Sequence, residues 1–293
     1  MSDPAPARST VAVLVHHERG EAHAVATELL AVLGEQGHDV VLPTEDARIL
    51  GVADLGVDDA RLVEAPVDLA VAIGGDGTML RTVALIAPTH APVLGVNAGQ
   101  LGYLSAVDPP DAAAAVLKVL AGDHGIEDRM LVSVRVESAG VAADIPTTAL
   151  NEAVLEKTPM GHTVRIGVQF DGDYFTTYAA DGLIVATPTG STAYSFSARG
   201  PILDPGLRAM VLTPVSPHML FDRSLVLAPD LEVRLEVLGH RPATLSLDGQ
   251  NVGDLLPGDA VVCTASPTVA RLVTFGPRDF HRILKTKFGL PDR

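Results

Sequence analysis

Apolar runs alternate with segments of helical periodicity over the first part of the chain. Apolar runs typical of buried strands cover residues 11–15, 40–42, 67–73 and 93–96, and amphipathic periodicity predicts helices at residues 21–33, 79–87 and 111–120. Asp111, which follows two prolines, is the expected N-cap of the last helix. This order predicts a Rossmann-like α/β domain with a parallel sheet over residues 1–125, whose ligands would collect at the carboxyl ends of the strands.

The pattern changes near residue 125 to a period of two. Strands are predicted at residues 131–137, 163–170, 174–178, 231–238, 243–247, 260–265 and 270–275. The dipeptide Asp171-Gly172 lies between two of them and is a hairpin signal. We therefore expect a mostly β, sandwich-like domain over residues 126–275. A helix is predicted at residues 279–288. We expect residues 276–293, which contain this helix, to form a third segment that packs back on the α/β domain.

Composition limits the classes of partner. The chain has 293 residues, 47% of them hydrophobic, and a formal net charge of −15. Such a charge argues against binding to nucleic acids or acidic membranes, which require clustered Lys and Arg. A phosphorylated ligand would need local cations or a metal ion.

A cytoplasmic protein is the expectation from the remaining composition. Cys263 lies in an apolar run and is expected to be buried in a strand, with no disulfide within the chain. No apolar stretch approaches the roughly 18 residues of a membrane span, and residues 1–10 lack the apolar core of a signal peptide.

The segment Ile73-Gly74-Gly75-Asp76-Gly77-Thr78 joins a predicted strand to a predicted helix. Such a turn exposes backbone N–H groups and the positive end of a helix dipole, so it favours a phosphate. Asp76 is itself an anion, and a carboxylate beside a phosphate suits a proton acceptor or a partner of a divalent cation. The alternative is that Gly-Gly-Asp-Gly forms only a tight connection. Neither a Walker A lysine motif nor a G-x-G-x-x-G after an early strand explains the glycines.

Two further segments carry polar groups suited to a nucleotide. In residues 181–201, a short apolar strand is predicted at residues 183–186, and seven hydroxyl side chains then surround Gly190. Ser191 or Thr192 is predicted to cap a helix that runs to Ala198. The alternative is an ordinary Ser/Thr-rich turn. The dipeptide Asn151-Glu152 could bind a purine edge and a ribose diol, although two residues alone are weak evidence.

Together these segments resemble the NAD kinase family over most of the chain. The matches are GGDGT at residues 74–78, N-x-G-x-L-G at residues 97–102, Asn151-Glu152, TPTGSTAYSFS at residues 187–197 and the step Pro217-His218. GGDG alone is shared with lipid kinases and phosphofructokinases, whereas the TPTGSTAYS stretch is more specific.

The resemblance implies transfer of the terminal phosphoryl group of ATP, or of polyphosphate, to the 2′-hydroxyl of the adenosine ribose of NAD. Asp76 would accept the proton, and Mg²⁺ would neutralise charge. The implied roles extend to a set of dinucleotide contacts. Gly77 and Arg81 line the dinucleotide site, Asn151 and Glu152 hold adenine and ribose, His162 is a basic or polar contact, Asp181 lies on the nicotinamide side, Thr192, Ala193, Tyr194, Ser195, Phe196 and Ser197 wrap the ligand, and Gln250 is a further contact.

Some positions depart from the family pattern. Arg199 stands where the family has glycine, Tyr103 where it has phenylalanine, and Ser224 where it has proline. Arg199 adds a cation near the hydroxyl-rich segment. Adjacent histidines on a strand point to opposite faces, so the pair His16-His17 is interpreted as loop residues that border the phosphate donor and not as metal ligands.

The sequence is also compatible with two rival functions. One is a lipid or sugar kinase that shares GGDG, and the other is a dinucleotide sensor without turnover. The expected partners are NAD and ATP or polyphosphate, with no nucleic acid and no membrane, and the family's bacterial members suggest a homodimer or homotetramer. The sequence leaves open whether NADH is accepted and whether NADPH feeds back.

Overall fold

The computed structural model describes residues 8–98, 102–138, 147–158, 162–276 and 280–291. The chain forms two compact units. The first contains Met1–Asp128 together with Ala270–Arg293, and the second contains Arg129–Val269. The division after Asp128 lies three residues beyond the predicted end of the α/β domain. The C-terminal segment from Ala270, which includes the last helix, belongs to the first unit.

The first unit is built on a parallel sheet. Its elements are β1 (Thr10–Val15), α1 (Gly20–Glu35), β2 (Asp39–Pro43), α2 (Thr44–Ile49), β3 (Gly56–Val57), α3 (Asp59–Glu64), β4 (Leu69–Gly74), α4 (Asp76–Ile86), β5 (Val93–Asn97) and α5 (Ala112–Leu120). Strands β3, β2, β1, β4 and β5 lie side by side in that order, all parallel. All six residues of β4 are buried, as expected of a strand covered on both faces.

The predicted elements of this unit are found, with differences at their ends. Helix α4 begins at Asp76, three residues before the prediction, because the glycine turn passes directly into the helix. Asp111 is the N-cap residue of α5, but its side chain forms no capping hydrogen bond. The short elements α2, β3 and α3 have two to six residues each, too few for a hydrophobic period to show in the sequence.

The second unit consists mostly of antiparallel strands. They are β6 (Gly125–Glu137), which begins in the first unit, β7 (Thr148–Ala149), β8 (Glu152–Lys157), β9 (Val164–Phe170), β10 (Asp173–Ala180), β11 (Gly182–Ala186), β12 (Met210–Val215), β13 (Leu225–Leu227), β14 (Val233–Leu238), β15 (Ala243–Leu247), β16 (Gln250–Leu255) and β17 (Ala260–Thr274), which ends in the first unit, with one short helix, α6 (Tyr194–Ser197). One sheet contains the order β10, β9, β14, β17, and a second has the order β13, β12, β11, β8, β15, β16.

Alternating side chains from both sheets form the core of the second unit. Leu235 of β14 and Leu245 of β15 belong to the same buried cluster, which is the arrangement of a sandwich. Asp171 and Gly172 have φ of 50° and 85°, so the predicted hairpin is present with a left-handed turn. Strands β7, β8, β12, β13 and β16 were absent from the sequence prediction, and the strands predicted at residues 260–265 and 270–275 form one strand, β17.

The C-terminal helix, α7, covers Phe280–Phe288. The ammonium of Lys287 lies 5.1 Å from the centroid of the Tyr103 ring, a cation–π contact within the first unit. Residue 279, where this helix was predicted to begin, lies outside the described residues. Cys263 is fully buried in β17, as predicted. In the part of the chain that the structure describes, no helix is long and apolar enough to cross a membrane.

Candidate active site

The glycine turn of the first unit forms one wall of a cavity of about 480 Å³. The turn lies between the end of β4 and the start of α4, at the carboxyl edge of the parallel sheet. The cavity is lined by Val15, His16, His17, Glu18, Arg19, Gly75, Asp76, Gly77, Thr78 and Arg81. Three residues with predicted site roles, Asp76, Gly77 and Arg81, therefore meet at one cavity.

The carboxylate of Asp76 is held by the backbone that follows Gly102. One oxygen, Oδ2, accepts a hydrogen bond from the N–H of Tyr103 at 3.1 Å, and Oδ1 accepts one from Leu104 at 3.2 Å. A Cβ on Gly102 would lie 2.3 Å from Asp76 Oδ1. Only glycine at position 102 therefore permits this arrangement, which gives a physical reason for the last glycine of the N-x-G-x-L-G segment.

Gly77 occupies the first turn of α4, and the space around it differs from the crowded space around Gly102. A Cβ added at Gly77 would meet no atom within 4 Å. Packing therefore does not demand glycine here, and the open space lies on the cavity side of the turn. This space is where a ligand can approach the first backbone N–H groups of α4.

The side chain of Arg81 is fixed by a buried carboxylate that the sequence prediction missed. Its two terminal nitrogens each lie 2.7 Å from an oxygen of Asp46, and Nη2 also donates to the carbonyl of Val15 at 2.8 Å. Asp46 is fully buried and further accepts a hydrogen bond from the N–H of Val15 at 2.8 Å. Arg81 thus presents a guanidinium in a fixed position, with its charge opposed by Asp46. Because α2 was not predicted, Asp46 carried no visible signal in the sequence.

The histidine pair follows β1 and lines the same cavity. The Nε2 atom of His17 lies 2.8 Å from Asp46 Oδ1, while burial and the nearby charge of Arg19 lower the pKa of His16. Arg19 donates to the carbonyl of Ala98 at 2.5 Å. Within the described ranges, no group of three or more His, Cys, Asp or Glu side chains is arranged to hold a metal ion.

A second cavity, of about 630 Å³, lies in the second unit. Its lining residues are Glu152, Val154, Glu156, Lys157, Asp181, Tyr194, Val215, Thr244, Ser246, Gly249 and Asn251. Glu152, Asp181 and Tyr194 are predicted site residues that meet here. Asp181 forms an ion pair with Lys157 at 2.9 Å. Gln250 is in β16 beside two lining residues but is not itself one of them, and the exposed His162 lines neither this cavity nor the first.

The chain segment that carries Asn151 and Glu152 is clamped by one carboxylate. Asp248 accepts hydrogen bonds from the backbone N–H groups of Leu150 at 2.7 Å, Asn151 at 2.7 Å and Glu152 at 3.1 Å. The N–H of Asp248 in turn donates to the carbonyl of Glu152 at 3.0 Å. Asp248 has a φ of 49°, the left-handed conformation in which aspartate is tolerated better than most residues. The turn before β16 therefore fixes the start of β8.

The opposite side of the same segment is fixed by the Thr-Pro-Thr-Gly stretch. The backbone N–H of Thr187 donates to the carbonyl of Asn151 at 2.8 Å, and its hydroxyl donates to the carbonyl of Leu150 at 2.5 Å. A Cβ on Gly190 would lie 2.1 Å from the carbonyl oxygen of Asn151. The glycine is thus required by the close approach of the two chain segments.

The hydroxyl-rich segment is organised differently from the prediction. Neither Ser191 nor Thr192 caps a helix, because Thr189–Thr192 forms a 3₁₀ turn and Ala193 is the residue before α6. The buried Ser191 hydroxyl donates to the carbonyl of Pro188 at 2.7 Å, and the buried Ser195 hydroxyl lies 2.9 Å from that of Thr213. Internal packing therefore uses several of these hydroxyls, whereas the half-exposed Tyr194 faces the cavity.

Glu152 is the most perturbed acid of the second unit. It is 6% exposed, and burial, with a contribution from the charge of Asp248, raises its pKa to about 8. The backbone of Tyr194 partly offsets this rise in pKa, while Oε2 has no hydrogen-bond partner. An unpartnered buried oxygen costs free energy, so a ligand hydroxyl that donates to it would recover that cost.

Two family models match the chain. The model described as the ATP-NAD kinase N-terminal domain matches residues 11–124, and the one described as the ATP-NAD kinase C-terminal domain matches residues 150–275. The chain is 42% identical over 228 residues to the NAD kinase of Carboxydothermus hydrogenoformans, an alignment that covers 78% of this chain and 81% of the relative. It is 38% identical over 280 residues to the NAD kinase of Heliobacterium modesticaldum, an alignment that covers 95% of this chain and 98% of the relative.

Two solved structures have a similar fold. The crystal structure of yeast NADH kinase complexed with NADH matches with a TM-score of 0.87 at 24% identity. The match covers 98% of this chain and 89% of the yeast chain. The crystal structure of an NAD kinase from Archaeoglobus fulgidus in complex with ATP matches with a TM-score of 0.71 at 24% identity. The match covers 97% of this chain and 100% of the archaeal chain. The predicted fold class, an α/β unit and a mostly β unit with a C-terminal helix, is confirmed.

The close approach at Gly190 predicts a large effect of a single methyl group. Gly190→Ala should lower the free energy of unfolding by about 1–3 kcal/mol, since the added Cβ would overlap the carbonyl of Asn151. Urea denaturation measures the change. Gly34→Ala is the matched control because a Cβ there, inside α1, meets nothing within 4 Å and should not destabilise the protein. Equal stability of the two variants would contradict the clamp.

The raised pKa of Glu152 predicts a pH-dependent stability. Between its ordinary value of 4.5 and about 8, the folded chain holds a proton that the unfolded chain releases. The contribution is therefore fully present below pH 4.5 and is lost as pH rises through 8, by at most about 1.4 kcal/mol per pH unit. Urea denaturation from pH 5 to 9 should show this slope in the wild type and a smaller one in Glu152→Gln. Glu156→Gln should keep the wild-type slope, and identical slopes in all three proteins would refute the assignment.

Proposed function

This chain belongs to the ATP-NAD kinase family, and we propose that it transfers the terminal phosphoryl group of ATP to the 2′-hydroxyl of the adenosine ribose of NAD, which yields NADP. The observation that carries the acceptor half is the buried Glu152, whose Oε2 lacks a partner in a cavity of about 630 Å³. A ribose diol supplies the hydroxyl donors that this oxygen lacks. A cavity of that size accommodates a nucleoside.

The rest of the acceptor site follows from the two clamps on residues 150–152. Asn151 would contact adenine, and Glu152 would hold the ribose, both presented by the segment that Asp248 and Thr187 fix. Asp181 would contact the nicotinamide side, and His162 and Gln250 would be further contacts. The six residues from Thr192 to Ser197 would enclose the ligand, with Tyr194 supplying a face of the cavity.

Asp76 is the proposed proton acceptor. The 2′-oxygen of the ribose attacks the terminal phosphorus, the bond from that phosphorus to the bridging oxygen breaks, and ADP leaves. The proton of the 2′-hydroxyl passes to the Asp76 carboxylate. Each oxygen of Asp76 accepts one backbone hydrogen bond and keeps a further lone pair for this proton. Gly77 and the start of α4 would bind phosphate oxygens, and Arg81 would present its fixed charge.

A divalent cation suits the cavity of the first unit. Mg²⁺ is usually bound by one or two carboxylates together with substrate phosphates, and Glu18 and Asp76 are the carboxylates that line this cavity. These two residues would hold the ion, which would supply charge neutralisation on the transferred group. Arg19 and His16 would lie beside the donor. Polyphosphate is a second candidate donor because only a chain of phosphates is required at this cavity.

The alternatives differ in their expected products. The family models match both halves of the chain, so a lipid or sugar kinase is not favoured. A sensor without turnover would bind NAD but yield no NADP from NAD, ATP and Mg²⁺ at high enzyme concentration. The proposal also includes a cytoplasmic location and a homodimer or homotetramer, both of which rest on the resemblance to bacterial NAD kinases.

The role of Asp76 is tested by a change that preserves its shape. Asp76→Asn should reduce NADP formation by about 10²-fold to 10⁴-fold, since the amide cannot accept the proton, while NAD binding stays largely intact. Steady-state kinetics and calorimetry measure the two effects. Glu21→Gln, which changes an exposed carboxyl of α1 that does not line this cavity, should keep its turnover. A variant that turns over normally but fails to bind NAD would refute the assignment.

The clamp at Asp248 predicts an effect on binding more than on turnover. Asp248→Asn offers one acceptor oxygen to three N–H groups, so Asn151 and Glu152 lose their fixed positions and the KM for NAD should rise about tenfold. The kcat should fall less than the KM rises. Asp254→Asn is the control from the same hairpin, where the carboxylate bonds only to the hydroxyl of Thr244 among the described residues. An unchanged KM for NAD would exclude a positioning role for Asp248.

A further inference from the structure

The buried carboxylate of Asp46 joins three parts of the first unit. Asp46 lies in α2 and is fully buried. It accepts a hydrogen bond from the N–H of Val15 at the end of β1, pairs with Arg81 of α4, and lies 2.8 Å from the Nε2 atom of His17 in the loop after β1. One side chain thus fixes the end of β1, the loop that follows it and the helix that carries Asp76.

The two terminal nitrogens of Arg81 have four N–H groups and four neighbouring partners. The Nη1 atom lies 2.7 Å from Asp46 Oδ1 and 2.8 Å from His17 Nε2. The Nη2 atom lies 2.7 Å from Asp46 Oδ2 and 2.8 Å from the carbonyl oxygen of Val15. A phosphate oxygen would receive one of these N–H groups only if an existing contact broke. Arg81 therefore lines the cavity with its terminal N–H groups already in use.

A buried ion pair is a costly way to hold helices together. Removing a carboxylate and a guanidinium from water costs free energy that their attraction often fails to recover, so apolar side chains of similar volume are often neutral or stabilising in such places. The side chain of Asp46 is fully buried, and that of Arg81 is 25% exposed. The pair provides direction, which apolar contacts lack, because a hydrogen bond specifies both a distance and an angle.

Helix α4 carries Asp76 in its first turn. Gly75, the residue before the helix, has no side chain to cap it, and the buried face of the helix consists of Thr78, Met79, Thr82, Val83 and Ile86. The packing of a mostly apolar face is non-directional. Arg81 follows Asp76 by five residues, or about 7–8 Å along the helix axis. Bonds that fix Arg81 therefore limit rotation and sliding of the turn that carries Asp76.

The bonds of the Asp76 carboxylate are longer than those of Asp46. The N–H groups of Tyr103 and Leu104 lie 3.1 and 3.2 Å from its oxygens, whereas both contacts between Asp46 and Arg81 measure 2.7 Å. A base must lie within about 2.6–3.2 Å of the oxygen whose proton it takes. A misplacement of about 1 Å lowers such a rate by about 10²-fold. The orientation of α4 therefore matters for catalysis.

We propose that Asp46 is a positioning residue for phosphoryl transfer. Through Arg81 it fixes the first turns of α4, and with them the Asp76 carboxylate, at the distance that proton transfer from the ribose hydroxyl requires. Arg81 acts through the helix and gives no terminal N–H group to the substrates. This inference rests on the proposed function, in which Asp76 accepts that proton. It adds to the site a residue of α2, a helix outside every segment that carries the family resemblance.

Asp46→Asn tests the inference through the separate effects on kcat and KM. The amide offers Arg81 one acceptor oxygen instead of two, so kcat should fall about tenfold while the KM values for NAD and ATP change less than about twofold. Arg81→Met should have the same effect. The combination of both changes should lower kcat no further, because the two residues act as one unit. A raised KM in Arg81→Met, with an effect that adds to that of Asp46→Asn, would identify a direct substrate contact and overturn the inference.

The double variant also separates positioning from stability. Asp46→Asn with Arg81→Met leaves no unpaired charge, and the amide oxygen still accepts the N–H of Val15. Urea denaturation should therefore give a higher free energy of unfolding than for either single variant. Its kcat should stay about tenfold low, since packing restores no directional bond. Recovery of kcat together with stability would show that the pair only holds the fold, which would overturn the inference.

Glu45→Gln is the matched control. It changes a carboxyl of the same helix whose ion pair with Arg48 is exposed, so kcat and both KM values should equal those of the wild type.

Hydrogen–deuterium exchange gives a measurement that needs no turnover. In the double variant, the backbone N–H groups of residues 78–82 in α4 should exchange about three- to tenfold faster than in the wild type, whereas those of α5 should be unchanged. Equal exchange in α4 would overturn the inference whether or not the protein forms NADP. A wild-type chain that forms no NADP would count against the proposed function alone.

Discussion

Three consecutive backbone N–H groups converge on the carboxylate of Asp248, and the second unit's cavity depends on that convergence. A carboxylate withdrawn from water must receive hydrogen bonds from the protein or lose its charge. Asp248 receives three from the backbone, and the fully buried Asp46 receives a guanidinium and a backbone N–H. Burial, with a contribution from the charge of Asp248, raises the pKa of Glu152 to about 8, and its Oε2 has no hydrogen-bond partner and is left for a ligand. The satisfied carboxylates fix the scaffold, and the unsatisfied one marks the site.

Close backbone approach explains why two of the sequence segments have glycine where they do. The Asp76 carboxylate occupies the space of a Cβ at Gly102, and the Asn151 carbonyl occupies the space of one at Gly190. In both places a glycine lets a functional segment contact a chain segment distant in sequence. Packing does not explain the glycine at position 77, because a Cβ there would contact no protein atom within 4 Å. The GGDGT and TPTGSTAYS segments are thus specified partly by packing and partly by the ligand.

The sequence predicted what depends on local pattern. Buried parallel strands, period-two strands and the Asp171-Gly172 turn all have short-range signals, and these elements are present. The clamp between Asp248 and Leu150 joins residues 98 positions apart, so no local pattern could reveal it. Asp46 lies in a helix of six residues, too short to show a period. The predicted cap at Ser191 or Thr192 failed because serine and threonine hydroxyls also bond to the backbone of their own turn, as Ser191 does with Pro188.

The distribution of paired and unpaired cations bears on how an acidic chain binds two phosphorylated substrates. Three cations that line the cavities have an acid beside them, since Arg81 faces Asp46, Lys157 faces Asp181 and Arg223 faces Asp222. Two do not, within the described residues. Arg19 donates to the carbonyl of Ala98 in the first unit's cavity, and Arg199 lines a cavity of the second unit without an ion pair to a described residue. A net charge of −15 repels polyphosphates at long range, so binding must depend on such local exceptions.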